Sequence, residues 1–151
     1  MDSSDSKGLT LLRKSDPQRP LLAYRNVLIH SRSGKVLVEE AIPYGYPNLI
    51  GRDVMVREGE IQFLGLMDCI REEQDGLVPC RKIWPSRAPQ GIRRKITETL
   101  QQMTQKLQIW DAELNVEFIA GQDGKIYPIE IALRCGGNGI PQLLSDITGV
   151  D

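Results

Sequence analysis

The sequence predicts an α+β protein: a small β-α-β lobe followed by an antiparallel sheet packed on one long helix. Three observations predict it. From Gln90 to Gln108, the residues Ile92, Ile96, Leu100, Met103 and Leu107 recur at spacings of three and four, which puts one apolar face on a helix. Asp111 to Ala120 and Lys125 to Leu133 are alternating β-rich runs that flank Asp123-Gly124, a strong short hairpin signal. A strand-helix-strand order at the start, then mainly antiparallel strands with one packing helix, is an α+β pattern.

In chain order, residues 1 to 8 (MDSSDSKG) read as a small polar loop, and Gly8 to Lys14 as a short strand. Asp16 is placed to cap a helix whose first helical position is Pro17. That helix runs to about His30, with Leu21, Leu22, Tyr24, Val27 and Leu28 as its apolar stripe, and Ser33-Gly34 ends it. Lys35 to Ile42 is a strand, and PYGYPN is rich in turn residues. Arg52 to Arg57 is a strand turned by Glu58-Gly59 into a second, Glu60 to Ile70. Residues 71 to 89, with Gly76, Pro79, Pro85 and Pro89, read mostly as loop. After the long helix and the hairpin, Pro141 to Ile147 is a short final helix. The organisation is two lobes, 1–42 and 43–151.

With 40% hydrophobic and 26% charged residues, the 151-residue chain can fill a core and cover a surface. Nineteen basic and twenty acidic side chains nearly cancel, so no net field favours a nucleic acid or an anionic membrane. No apolar run reaches the roughly 20 residues of a membrane helix. Cys69, Cys80 and Cys135 are odd in number and far apart, which fits free thiols in a reducing cytoplasm. His30 is the one histidine, read as a surface or cap residue, and it rules out chemistry built on several histidines.

The hairpin carries the chemistry. A two-residue Asp123-Gly124 loop sets Gln122 opposite Lys125, Glu117 opposite Glu130, Asn115 opposite Ala132 and Glu113 opposite Arg134. Alternation then gives a core face of Ala112, Leu114, Val116 and Phe118 on one strand and Tyr127, Ile129, Ile131 and Leu133 on the next. The other face carries Glu113, Asn115, Glu117, Glu130 and Arg134. Directly opposed carboxylates, with Cβ atoms about 5 Å apart, destabilise a sheet. A hard divalent cation removes that conflict, since Mg²⁺ is held by one or two carboxylates together with substrate phosphates. A solvated strand face whose glutamates point into water has the same periodicity.

NVEFI, a DG hairpin, YPIEIALR, CGGNGIP and a closing TGVD resemble the C-terminal end of ATP-grasp ligases. The resemblance implies that Glu117 and Glu130 hold Mg²⁺ (or Mn²⁺) against the ATP phosphates. It also implies that Arg134 is the catalytic residue that steadies the phosphate or acyl phosphate. Ala132 stands where the family has asparagine, and the amide oxygen of Asn115, across from it, is the expected substitute ligand. DSSDSKGLTLL is similar to the family's phosphate loop, which implies ATP contacts from Ser4, Ser6, Lys7 and Gly8; Asp5 replaces a glycine there. KVLVEEAIPYG resembles the hinge strand along the adenine, which implies ATP-binding roles for the Glu40 carbonyl, the Ile42 N–H and Glu39. Taken alone, the first of these is a polar loop and the second a strand ending in two acids.

The resemblance implies an ATP-dependent ligase that activates a carboxylate as an acyl phosphate for attack by an amine or ammonia. Relatives of the carbamoyl-phosphate-synthase and D-alanine-D-alanine-ligase kinds come nearest. The family's substrate-binding N-terminal domain and the lysine-bearing strand before the loop fall outside these residues. The expectation is therefore a piece of a longer enzyme, inactive alone, that self-associates through surface the missing domain would cover. Two other readings stay open: an ATP-grasp phosphotransferase, and a degenerate, non-catalytic ATP-grasp domain.

Overall fold

The structure, a computed structural model, describes residues 7–12, 18–43, 49–71, 79–137 and 139–149. The chain divides into two compact units, Met1–Ala41 with Arg71–Cys80, and Ile42–Ile70 with Arg81–Asp151.

In the first unit, α1 (Arg19–His30) starts from Gln18, with a proline in its first turn. Asp16 and Pro17, the expected cap and first helical residue, lie outside the described residues, and the helix begins after them. Its predicted stripe is not buried: Ala23 is its one buried residue, while Leu21 and Leu22 are 58% and 61% exposed. The strands expected on either side of α1 are absent among the described residues, since neither 8–12 nor 35–42 is extended in a ladder. A strand is made by pairing. Leu37 and Val38 carry strand propensity but stay 77% and 83% exposed. Gly8 is needed twice over: its φ is +74°, and a Cβ there would lie 2.9 Å from the His30 Cβ.

The second unit is an antiparallel sheet of six strands, β1 to β6 in chain order, the last two being β5 (Ala112–Ala120) and β6 (Ile126–Ala132); the strands lie in the order β4-β3-β1-β5-β6, with β2 also paired to β1. β1 is Leu49–Arg57, β2 Glu60–Leu64, β3 Met67–Ile70 and β4 Arg81–Ile83. Glu58 and Gly59, with φ of 52° and 77°, make the tight turn between β1 and β2. The single strand expected over Glu60 to Ile70 is two, because the chain breaks at Gly65-Leu66 while both halves stay against β1. Gly65 allows the close approach: a Cβ there would come within 2.8 Å of Leu144 Cδ1. β4, inside the expected loop, pairs with β3.

α2 (Gln90–Lys106) covers one face of the sheet. Ile96 and Leu100 pack with Ile50, Val54, Val56, Leu114, Val116 and Phe118 in one buried cluster. This apolar face is what makes the helix stable, since its outer residues are strongly polar. α3 (Ile140–Thr148) lies between Gly139 and Gly149, both left-handed, and buries Leu144. Among the described residues no helix is long and apolar enough to cross a membrane.

β5 (Ala112–Ala120) and β6 (Ile126–Ala132) form the hairpin. Its tip is longer than the two-residue loop expected. Gly121 N–H donates to the Lys125 carbonyl at 2.9 Å, so Gln122, Asp123 and Gly124 are all loop. The Tyr127 hydroxyl and the Lys125 N–H donate to Asp123 and hold its carboxyl below the usual range. Next to the tip, Ile119 pairs with Tyr127 and Phe118 with Pro128; a bulge at Ile129 then shifts the register by one. Proline has no N–H to give a ladder, so an irregularity beside Pro128 costs little. Beyond the bulge Glu117 pairs with Glu130 and Asn115 with Ala132, as the sequence predicts.

The extra loop residue and the bulge cancel at the glutamates but not nearer the tip. Tyr127, expected in the main core, lies instead on the opposite face with Leu49, Cys69 and Ile119. Ile126 takes its place against the main cluster. Ile129 and Leu133, also expected inside, are 48% and 73% exposed.

Candidate functional site

The sheet face away from α2 is organised in rows across three strands. Gly51, Glu117 and Glu130 form one row. Asp53, Asn115 and Ala132 form the next, and Met55 opposite Glu113 the third. On the tip side of the glutamates lies an apolar patch of Leu49, Cys69 and Ile119, against which Ile42 and Tyr127 pack. The face thus has an apolar end and an acidic end. Gly51 keeps the acidic row low, since a Cβ on it would meet the Val116 carbonyl oxygen at 2.8 Å.

Asp53 is a site residue the sequence reading missed. It is 6% exposed, and its Oδ1 accepts from Asn115 Nδ2 at 2.8 Å and from the Gly136 N–H at 2.8 Å. Its Oδ2 is buried with no hydrogen-bond partner among the described residues. The signal was present in the alternation of β1: Ile50, Val54 and Val56 face the core, so Asp53 had to share a face with Gly51 and Met55.

The structure changes the expected placement of Arg134 but not that of Asn115. Asn115 lies opposite Ala132, and its amide nitrogen donates to Asp53 and ties β5 to β1, which leaves its amide oxygen as the atom the expectation concerns. Arg134 does not face Glu113, because β6 ends at Ala132. The Arg134 guanidinium donates to the Cys135 carbonyl at 2.8 Å, and Glu113 instead receives the Cys135 thiol at 2.6 Å. Burial first, then the hydrogen bond to Glu113 and the charges of Glu113 and Asp53, push that thiol up to about 11.

Lys7, Gly8, Glu39 and Glu40 belong to the first unit, with Lys7, Glu39 and Glu40 exposed, and Ile42 begins the second. Ser4 and Ser6 lie outside the described residues.

As a cation site, Glu117 and Glu130 offer two hard oxygen donors from neighbouring strands. No group of three or more His, Cys, Asp or Glu that could hold a metal occurs among the described residues. Two carboxylates fit Mg²⁺, which takes its other ligands from water and phosphate, better than a metal that needs an all-protein cage.

An antiparallel sheet with a helix on one face and a carboxylate row on the other defines a fold shared with solved structures. No protein-family model matches the sequence. No curated protein matches it either. Among solved structures, the chain is similar to phosphoribosylglycinamide synthetase from Anaerococcus prevotii, at 19% identity and a TM-score of 0.62 over 86% of this chain and 32% of that one. It is similar to biotin carboxylase from Campylobacter jejuni, solved as a β-γ-ATP complex, at 18% identity and a TM-score of 0.66 over 87% of this chain and 28% of that one. It is also similar to the biotin carboxylase domain of the Hydrogenobacter thermophilus 2-oxoglutarate carboxylase, solved with MgADP and bicarbonate. There the identity is 24% and the TM-score 0.65, over 89% of this chain and 28% of that one. These structures are ATP-grasp ligases, and the chain has the ATP-grasp fold. It spans about a third or less of the length of the structures it matches.

Proposed function

We propose that this chain is the Mg²⁺- and ATP-holding part of an ATP-dependent ligase, one that activates a carboxylate as an acyl phosphate for attack by an amine or ammonia. The observation that carries the reading is the head-on pairing of Glu117 with Glu130 on the sheet face away from α2. A divalent cation held there would neutralise the two carboxylates and the phosphates of a bound nucleotide. Glu117 and Glu130 orient that charge, and Gly51 lets β1 approach β5 closely beside them. The apolar patch of Ile42, Leu49, Cys69, Ile119 and Tyr127 suits a base lying along the same face. Arg134, two residues beyond β6, is exposed and is assigned to the transferring phosphate. By the family resemblance, Lys7, Gly8, Ser4 and Ser6 cover the triphosphate, and Glu39 and Glu40 approach the nucleotide. Catalysis of this kind is mainly positioning and charge neutralisation, which such residues supply without a nucleophile-base pair. The cytoplasm as location belongs to the same reading and rests on the free cysteines.

Calorimetric titration of the chain with ATP, with and without Mg²⁺, tests it. Binding that needs Mg²⁺ and falls in Glu117→Gln and Glu130→Gln is expected. Equal binding with and without both carboxylates would remove the reading. In the whole protein, ADP release that requires both a carboxylate and an amine separates ligation from simple phosphotransfer.

A further inference from the structure

Beside the glutamate row, a pocket of about 290 Å³ opens between the sheet face and α3. Its polar wall is Asp53, Glu113, Cys135, Gln142, Ser145 and Thr148, and its apolar wall includes Met55, Phe63 and Leu144. The volume is at the small end for small-molecule sites, and mixed walls of this kind are their usual lining.

The lining has an unmet electrostatic demand. Asp53 is 6% exposed, and its Oδ1 takes two N–H bonds, but Oδ2 has no partner among the described residues and belongs to a residue that lines the pocket. A buried carboxylate oxygen left unsatisfied is costly. Glu113 lies diagonally across β1 and β5 on the same face, because Asp53 pairs with Asn115 and Met55 with Glu113. The Cys135 thiol donates to Glu113 and adds no positive charge. Two acids therefore face one small cavity, and none of the pocket's lining residues is cationic.

We propose that this pocket binds the ammonium end of a small primary amine with an apolar body, the ammonium taking Asp53 Oδ2 and Glu113 while the body lies on Met55, Phe63 and Leu144. An ammonium has three donors and no acceptor, which suits two carboxylates in a lining without a cationic residue. A bare divalent metal fits less well, because it needs a shell of about six oxygens and half of this wall is apolar. That the bound amine is the attacking nucleophile rests on the ligase reading above; the binding itself does not.

The test uses n-butylammonium chloride and 1-butanol as probes, titrated into the 151-residue chain and followed by amide chemical shifts. Butylammonium is expected to shift the Gly136 amide saturably, and 1-butanol at the same concentrations is not. Asp53→Asn and Glu113→Gln should each weaken butylammonium on the order of tenfold, the size of one charge-assisted hydrogen bond. Asp53 also holds Gly136, so a second variant guards against misfolding. Ser145→Phe fills the pocket from α3, leaves both acids in place and should abolish binding with an otherwise unchanged spectrum. No saturable shift, equal binding of 1-butanol, or undiminished binding in all three variants would overturn the proposal. Titration of the same sample with Mg·ATP keeps the two ideas apart. ATP binding without butylammonium binding removes the pocket's role and leaves the ligase reading. Butylammonium binding without ATP binding upholds the pocket and removes the nucleophile assignment.

Discussion

Gly51 lies directly across the β1–β5 ladder from Glu117, and the space above it is closed to any side chain, because a Cβ there would sit 2.8 Å from the Val116 carbonyl oxygen. Gly51→Ala must therefore push the two strands apart at the glutamate. The expected cost is about 1–3 kcal/mol, the usual range for overpacking a tight site. Urea unfolding of the two proteins measures it, and a variant as stable as the parent would show that β1 yields freely.

Removing one of the opposed carboxylates should act in opposite directions with and without metal. Without Mg²⁺, Glu130→Gln relieves a like-charge pair and raises the melting temperature slightly. With Mg²⁺, the same change should weaken ATP on the order of tenfold or more, the worth of a charge-assisted contact. Thermal scans and calorimetry of one preparation read both signs, and a loss of stability in the metal-free protein would contradict the first.

Phe118 is 1% exposed at the centre of the cluster between β5 and α2. Phe118→Ala should lose about 3–5 kcal/mol, the sum of lost transfer energy and the cavity left behind. Chemical denaturation with an unchanged slope would locate the effect in the native core.

The thiol chemistry is ordered by environment. The Cys135 thiol is raised from 9.0 to about 11, so little thiolate is present at pH 8, and iodoacetamide should modify exposed Cys80 well before Cys135. Glu113→Gln removes the charge that opposes ionisation and should speed the reaction at Cys135. The sign of the pH dependence follows. The folded protein holds this proton more tightly than the unfolded chain, so the contribution is present in full below about 9 and is lost as pH rises toward about 11. Peptide mapping of alkylated protein across pH 7 to about 10 checks the order, and faster labelling of Cys135 than Cys80 would refute it.

Much of the second unit was legible because its signals are periodic. The stripe of α2 and the alternation of β5 name the core residues Ile96, Leu100, Leu114, Val116 and Phe118. The opposition of Glu117 and Glu130 was legible too, although through a wrong intermediate step. The assumed two-residue turn has three loop residues, and the bulge at Ile129 makes up the difference. A bulge leaves no mark in hydropathy, so the face of Tyr127 could not be read. Asp53 went unnoticed because an acid in the middle of a strand looks like any solvent-facing residue. Only the approach of Gly136 and Asn115 from distant parts of the chain buries it. In the first unit, propensity promised strands at 8–14 and 35–42, but propensity alone does not supply a partner to the described residues of either.

The irregularity at Ile129 separates β6 into two lengths that answer to different constraints. Tipward of it, residues can be inserted or lost, exchanging which of Ile126 and Tyr127 meets the oily floor, while the facing acids beyond keep their alignment. A hairpin divided in this way could retune what its greasy half accommodates without disturbing its charged half.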